Sequence, residues 1–236
     1  MDNRPWSLPT TATAPTTTVA ESPFNRTSAD IILRSSDHVD FYVHRSILSE
    51  ASPVFEDMFN IPQPPHGEGE AHAGLVVDVA EDSKTLRHLL LLCYPVNKPD
   101  FASQPDDILP VLQAALKYIM EWPITLLKRD LHALMPVRPL RVWAIASRTG
   151  LDAIVREAAL EIRKRTLAPE TPISTLETLL TQDGIGVLDG VTAGQYFRLR
   201  AFLLPASDPS DYIPEDRKST RLNSSHSGES RMPSSA

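Results

Sequence analysis

A change of hydrophobic period at residue 44 constrains this chain more than any other feature. Before it, Val39, Phe41 and Val43 alternate with Asp40, Tyr42 and His44, the repeat of two that places every second side chain on one face of a strand. After it, Ile47, Leu48 and Ala51 share one face of a helix, and Val54, Phe55, Met58 and Phe59 recur at helical spacing while Glu56 and Asp57 face out. Upstream, Ile31-Ile32-Leu33 is a short apolar run, and Ser35-Ser36-Asp37-His38 is turn chemistry. The two strands form a β-hairpin with one buried face, and helices follow at once.

Helix starts and stops are written locally. Ser52-Pro53 pairs a capping serine with proline at the first helical position, and Pro62 ends that helix. Residues 60–74 combine Pro62, Pro64 and Pro65 with Gly67, Gly69 and Gly74 and read as an exposed loop. Leu75, Val77 and Val79 alternate into a third strand. Asp82 or Ser83 caps a helix carrying Leu86, Leu89, Leu90 and Cys93. Leu91 and Leu92 make it apolar nearly all round, as a helix at the centre of a core must be. Asp106 and Asp107 open the next helix, with Pro110 in its first turn. Pro123 and Pro139 start two more, and Gly150 caps an end. Residues 151–165, 172–181 and 191–203 complete a helical C-terminal half.

The chain has 21 prolines among 236 residues, and proline is excluded from helix interiors. Pro5, Pro9, Pro15 and Pro23 lie in the first 27 residues, a Thr/Pro-rich stretch with little to bury except Trp6, read as a disordered tail. Residues 206–236 form a second tail. Its end, 218–236, is serine-rich and reads as translated adaptor sequence.

Charge and cysteine content narrow the function classes. A formal charge of −7 repels phosphate, so no direct nucleic-acid partner is expected, and Arg163-Lys164-Arg165 reads as the solvated end of a helix. The single cysteine, Cys93, excludes an intrachain disulfide and multi-cysteine metal sites. No apolar run spans a bilayer and no signal peptide opens the chain, so an intracellular place is expected, cytoplasmic or nuclear. Neither a Gly-x-Ser-x-Gly elbow, a His-Glu-x-x-His helix nor a phosphate loop is present. Gly184-Ile185-Gly186 with Gly190 reads as a flexible joint, and His66, Glu68, Glu70 and His72 as a solvated loop. No catalytic residue, cofactor or metal is therefore expected.

The segment from Asp30 to Phe59 resembles the start of the BTB/POZ domain, particularly its fungal branch. The matching residues are Ala29-Asp30-Ile31-Ile32-Leu33-Arg34, Phe41-Tyr42-Val43, His44-Arg45-Ser46-Ile47-Leu48 and Ser52 to Phe59. Leu89 to Pro95 resembles the family's buried helix ending in Tyr-Pro, and Ala114 to Tyr118 the helix after it. The resemblance implies an α+β fold over residues 28–122, a small sheet flanked by a helical cluster, with residues 123–205 as a helical extension. It assigns Ile32, Val43, Leu48, Phe55, Met58, Phe59, Leu89, Leu90 and Tyr94 to the core. It also implies function by surface contact: a non-catalytic scaffold binding other proteins or itself. The alternatives are an adaptor on a cullin-type ubiquitin-ligase scaffold and a transcription-associated regulator that binds corepressors. Asp30 and Arg45 match a charged pair lining a pocket near the family's dimer groove, and His44 its signature histidine, bonding backbone at the strand–helix junction. The helix that precedes the first strand in dimeric members is absent, which argues against strand-swapped dimers. Leu86-Arg87-His88 lacks the acid of the adaptor pattern.

Overall fold

The computed structural model describes residues 17–61, 75–166 and 172–204. The strands are β1 (Thr18–Val19), β2 (Ile31–Arg34), β3 (Val39–Val43) and β4 (Leu75–Asp78). They form one sheet in the order β1-β3-β2-β4. The central hairpin is antiparallel, with Leu33 opposite Phe41 and Arg34 opposite Asp40, whereas β1 and β4 join it in parallel. The two-residue repeat sets the register. Ile31, Leu33, Phe41 and Val43 turn inward and are essentially buried. Ile32 is buried too, but lies outside the main cluster because it sits on the opposite face from Ile31 and Leu33. Asp40 is buried because Arg34 holds its carboxylate through two bonds, 2.7 and 3.0 Å.

The hairpin leads into α1 (Arg45–Ala51) and α2 (Pro53–Asn60). Ser52 caps α2 as expected, accepting from the Phe55 N–H at 3.1 Å, and its hydroxyl donates to the Tyr118 carbonyl at 2.5 Å. One serine thereby joins the start of α2 to the end of α4 (Ile108–Lys117). Between them, α3 (Ser83–Cys93) is capped by Asp82 and buries Leu86, Leu89 and Leu90 completely. α5 (Glu121–Leu134) packs on α3 and α4. Phe55, Phe59 and Tyr118 stack in this core, with ring centroids 5.7 and 4.5 Å from Phe55. Met58 is only partly buried against it.

The C-terminal layer consists of α6 (Pro139–Thr149), α7 (Asp152–Thr166), α8 (Pro172–Asp183) and α9 (Ala193–Leu203). Gly150 ends α6 with φ of 71°, the left-handed geometry its sequence position implies. Gly184 has φ of 78° and leads into a 3-10 turn, Ile185–Leu188. Hydrophobic burial runs without a break from the sheet to α9, so this layer shares the core of the N-terminal half.

The tail reading fails for residues 17–27. β1 pairs with β3, and Phe24 is fully buried between Phe41 and Tyr94, 5.8 and 5.2 Å between ring centroids. The Tyr42 N–H donates to the Phe24 carbonyl at 2.9 Å. Trp6, the 62–74 loop with its histidines and the 206–236 tail lie outside the described residues.

Candidate interaction groove

Where β3 ends at Val43, the chain turns at His44 and enters α1. This short helix buries only Leu48 completely. Its other face carries Ser46, Ile47 and Glu50 toward the surface. Across from it, α5 begins with a residue pair of opposite fates: Met120 is fully buried, whereas Trp122 is 61% exposed. Pro123 is buried beside it. Two clefts meet at Ile47. One, of about 300 Å³, lies among Pro23, Arg26, Tyr42, His44, Tyr94 and Val96. The other, of about 440 Å³, is open and lies among Ile47, Glu50, Ala51, Cys93, Trp122 and Pro123. Both clefts are mainly apolar and share the Ile47 side chain, with Arg26 lining the first and Glu50 the second. Lys98 lies over the Trp122 ring at 5.6 Å and holds it at the rim.

The sequence-predicted residues divide around this groove. His44 lines it. However, its backbone N–H, not its ring, bonds at the strand–helix junction, donating to the Tyr94 hydroxyl at 2.8 Å, and it gives α1 no side-chain cap. Burial raises the Tyr94 phenol above its ordinary value, so the oxygen stays a neutral acceptor. Asp30 and Arg45 do not form the expected charged pair. The Asp30 carboxylate accepts the backbone N–H of Arg45 at 2.8 Å, while the guanidinium donates to the Phe59 carbonyl at 2.5 Å and the Asn60 amide oxygen at 2.9 Å. The reason lies in α1 itself: it has no acid in its first turn and no capping side chain, so its free N–H groups claim the nearest carboxylate. Sequence reasoning passed over Trp122; a tryptophan ahead of a helix-starting proline was the available signal.

The groove's chemistry is that of contact. Burial pushes the Cys93 thiol up to about 12, so it is a poor nucleophile at neutral pH. Among the described residues, no three His, Cys, Asp or Glu side chains are grouped to hold a metal ion, and no helix is long and apolar enough to cross a membrane.

The family model of the BTB/POZ domain matches residues 21–133. Among solved structures, the BTB domain of zebrafish PATZ1 is similar at 19% identity and a TM-score of 0.35, covering 45% of this chain and 77% of that one. No curated protein matches. The matched span begins before the expected residue 28, at the turn that brings in Phe24, and ends after the expected residue 122, inside α5. Residues 21–133 are thus a BTB/POZ domain, a protein–protein interaction module.

Proposed function

We propose that this chain is a non-catalytic scaffold that binds protein partners, a second copy of itself among them, through the groove between α1 and the start of α5. One observation carries the reading: Trp122, 61% exposed, stands at the rim of an apolar cleft beside Ile47 and Ala51. Tryptophan is the residue most often found to dominate binding at such positions. The motifs from Ala29 to Phe59 suit the fungal branch of the family, and the acidic, cysteine-poor composition suits a reducing compartment, cytoplasm or nucleus. α6 to α9 then act as a helical extension that stiffens the module.

Affinity capture and sedimentation of wild type and Trp122→Ala test this. The variant is expected to keep the wild-type melting temperature and to lose at least about tenfold in partner affinity. Equal binding by both proteins would refute the groove. Two narrower roles are a substrate adaptor on a cullin-type scaffold and corepressor binding by a transcription-associated regulator. The adaptor has the weaker support, because Leu86 is fully buried and Leu86-Arg87-His88 cannot present its apolar member to a partner. Capture of a purified cullin scaffold at micromolar concentration would favour it; no capture would exclude it.

A further inference from the structure

The C-terminal layer keeps an open cleft on its outer side. α8 and α9 both pack on α7, and each buries a row of side chains there: Leu176 and Leu179 on α8, Leu199, Phe202 and Leu203 on α9. Between the two helices lies a cleft of about 200 Å³ lined by Leu176, Leu180, Tyr196 and Leu204, with Glu177 on the α8 side and Arg200 on the α9 side. Leu180 and Tyr196 are half-buried, and Leu204 is 44% exposed. Apolar side chains that line such a cleft gain free energy when another apolar group replaces the water over them.

The course of the chain points to the occupant. Leu204 caps the end of α9 and is itself a wall of the cleft, so residues 205–216, which lie outside the described residues, start at its mouth. Pro205 cannot continue the helix. The segment carries Asp208, Asp211, Glu215 and Asp216 with no lysine or arginine, and Tyr212 and Ile213 are its only aromatic and branched aliphatic side chains. From Leu204 back to Tyr196 the cleft runs about 12 Å, at 1.5 Å per helical residue. The extended stretch from Leu204 to Tyr212 reaches up to about 26 Å, so a chain that reverses at Pro205 brings Tyr212 and Ile213 to the cleft with length to spare. Charge agrees with this course. α7 ends in Arg163, Lys164 and Arg165, and the Arg163 guanidinium lies 4.9 Å from the centre of the Phe202 ring, beside the exit of the chain. With Arg200 this turn makes a positive rim for Asp208 and Asp211, whereas Glu177 keeps the acids off the α8 side. We infer that residues 205–216 fold back into the α8–α9 cleft of their own chain, with Tyr212 and Ile213 against Leu176 and Leu180 and the acids beside Arg200. So short a tether gives the segment an effective concentration on the order of a millimolar, which favours it over any untethered occupant. This contact is separate from the α1–α5 groove and does not rest on it.

Photo-crosslinking of the full-length chain tests this. Tyr212→p-benzoylphenylalanine keeps an aromatic ring at the docking position and couples on irradiation to whatever lies against it. The protein is irradiated as an equal mixture of light and heavy-isotope chains, and the products are mapped by mass spectrometry. Position 212 is expected to join peptides that hold Leu176, Leu180 or Tyr196, with both halves of each product carrying the same isotope. Asp208→Lys with Asp211→Lys, placed outside the folded layer, reverses the charge that meets Arg200 and is expected to lower the yield about threefold. Products that join a light chain to a heavy one would give the cleft to another copy and overturn the inference. Products confined to other surfaces, no product at all, or a yield that charge reversal leaves unmoved would overturn it equally.

Discussion

The carboxylate of Asp30 takes the backbone N–H of Arg45 at 2.8 Å, while the Arg45 side chain turns away to the carbonyl of Phe59. The two residues are thus joined through the main chain. Asp30→Ala should cost about 1 kcal/mol, the worth of a lost helix cap. Arg45→Ala leaves the N–H in place, so the double variant should show a coupling energy below about 0.5 kcal/mol in a urea-denaturation cycle. A coupling well above that would mean that the side chains form the ion pair the family resemblance implies.

The Tyr94 hydroxyl should matter more than its partly buried position implies. It is the acceptor for the His44 N–H at 2.8 Å. Tyr94→Phe keeps the ring against Phe24 but leaves that N–H without a partner, at a cost of about 1–3 kcal/mol. Chemical denaturation of the variant measures it, and hydrogen exchange at His44 should quicken.

Ile119 is the reverse case. It has φ of 53°, and the Ile119 and Met120 N–H groups bond back to Leu116 and Ala115 at 3.2 and 2.9 Å. This is a left-handed helix end in the position normally held by glycine. A β-branched side chain there is strained by about 1–2 kcal/mol, and with 53% exposure it recovers little by burial. Ile119→Gly is expected to raise the melting temperature.

Asp183 ties the C-terminal layer together. Its side chain is fully buried, and Arg138 and Arg141 reach it at 2.9 and 3.5 Å. Arg141 also pairs with Asp106, just ahead of α4. Asp183→Ala takes one acceptor from each guanidinium, while Arg138 keeps the Gln182 carbonyl and Arg141 keeps Asp106 and the residue-183 carbonyl, so it should cost about 1–3 kcal/mol. Thermal denaturation should still show one transition if the two layers share a core, and two if they do not.

His88 gives the fold a pH dependence. Burial lowers its pKa below 6.5, outweighing the attraction of Asp107, whose carboxylate oxygen lies 3.6 Å from Nδ1. In the folded state the ring stays neutral, whereas the unfolded chain takes up a proton near 6.5. Stability is therefore full above that value and is lost as pH falls from it through the lower folded value. Melting curves from pH 8 to 5 should fall more steeply for wild type than for His88→Gln.

The sequence was most legible where local chemistry decides. The caps at Ser52, Asp82 and Gly150 lie where their side chains or conformational freedom demand, and the hairpin register follows from the alternation of Phe41 and Val43. What escaped depends on distant partners. Phe24 looks like tail because its pocket is made by Phe41 and Tyr94. The groove was hidden for the same reason: Ile47 and Trp122 belong to different helices, and only His44 among the predicted pocket residues lines it. Asp30 and Arg45 misled because the resemblance implies a charged pair there, while a helix terminus offers competing donors.

The burial of Phe24 bears on how the domain can be isolated. A fragment cut at residue 28, where the alternating pattern starts, would lack both β1 and the ring that fills the space between Phe41 and Tyr94. One cut at residue 21, where the family match starts, would keep the ring but lose the strand that anchors it. Trimming to either boundary would yield material that exposes apolar surface and clumps on concentration, and such clumping would be easily mistaken for the self-association under study.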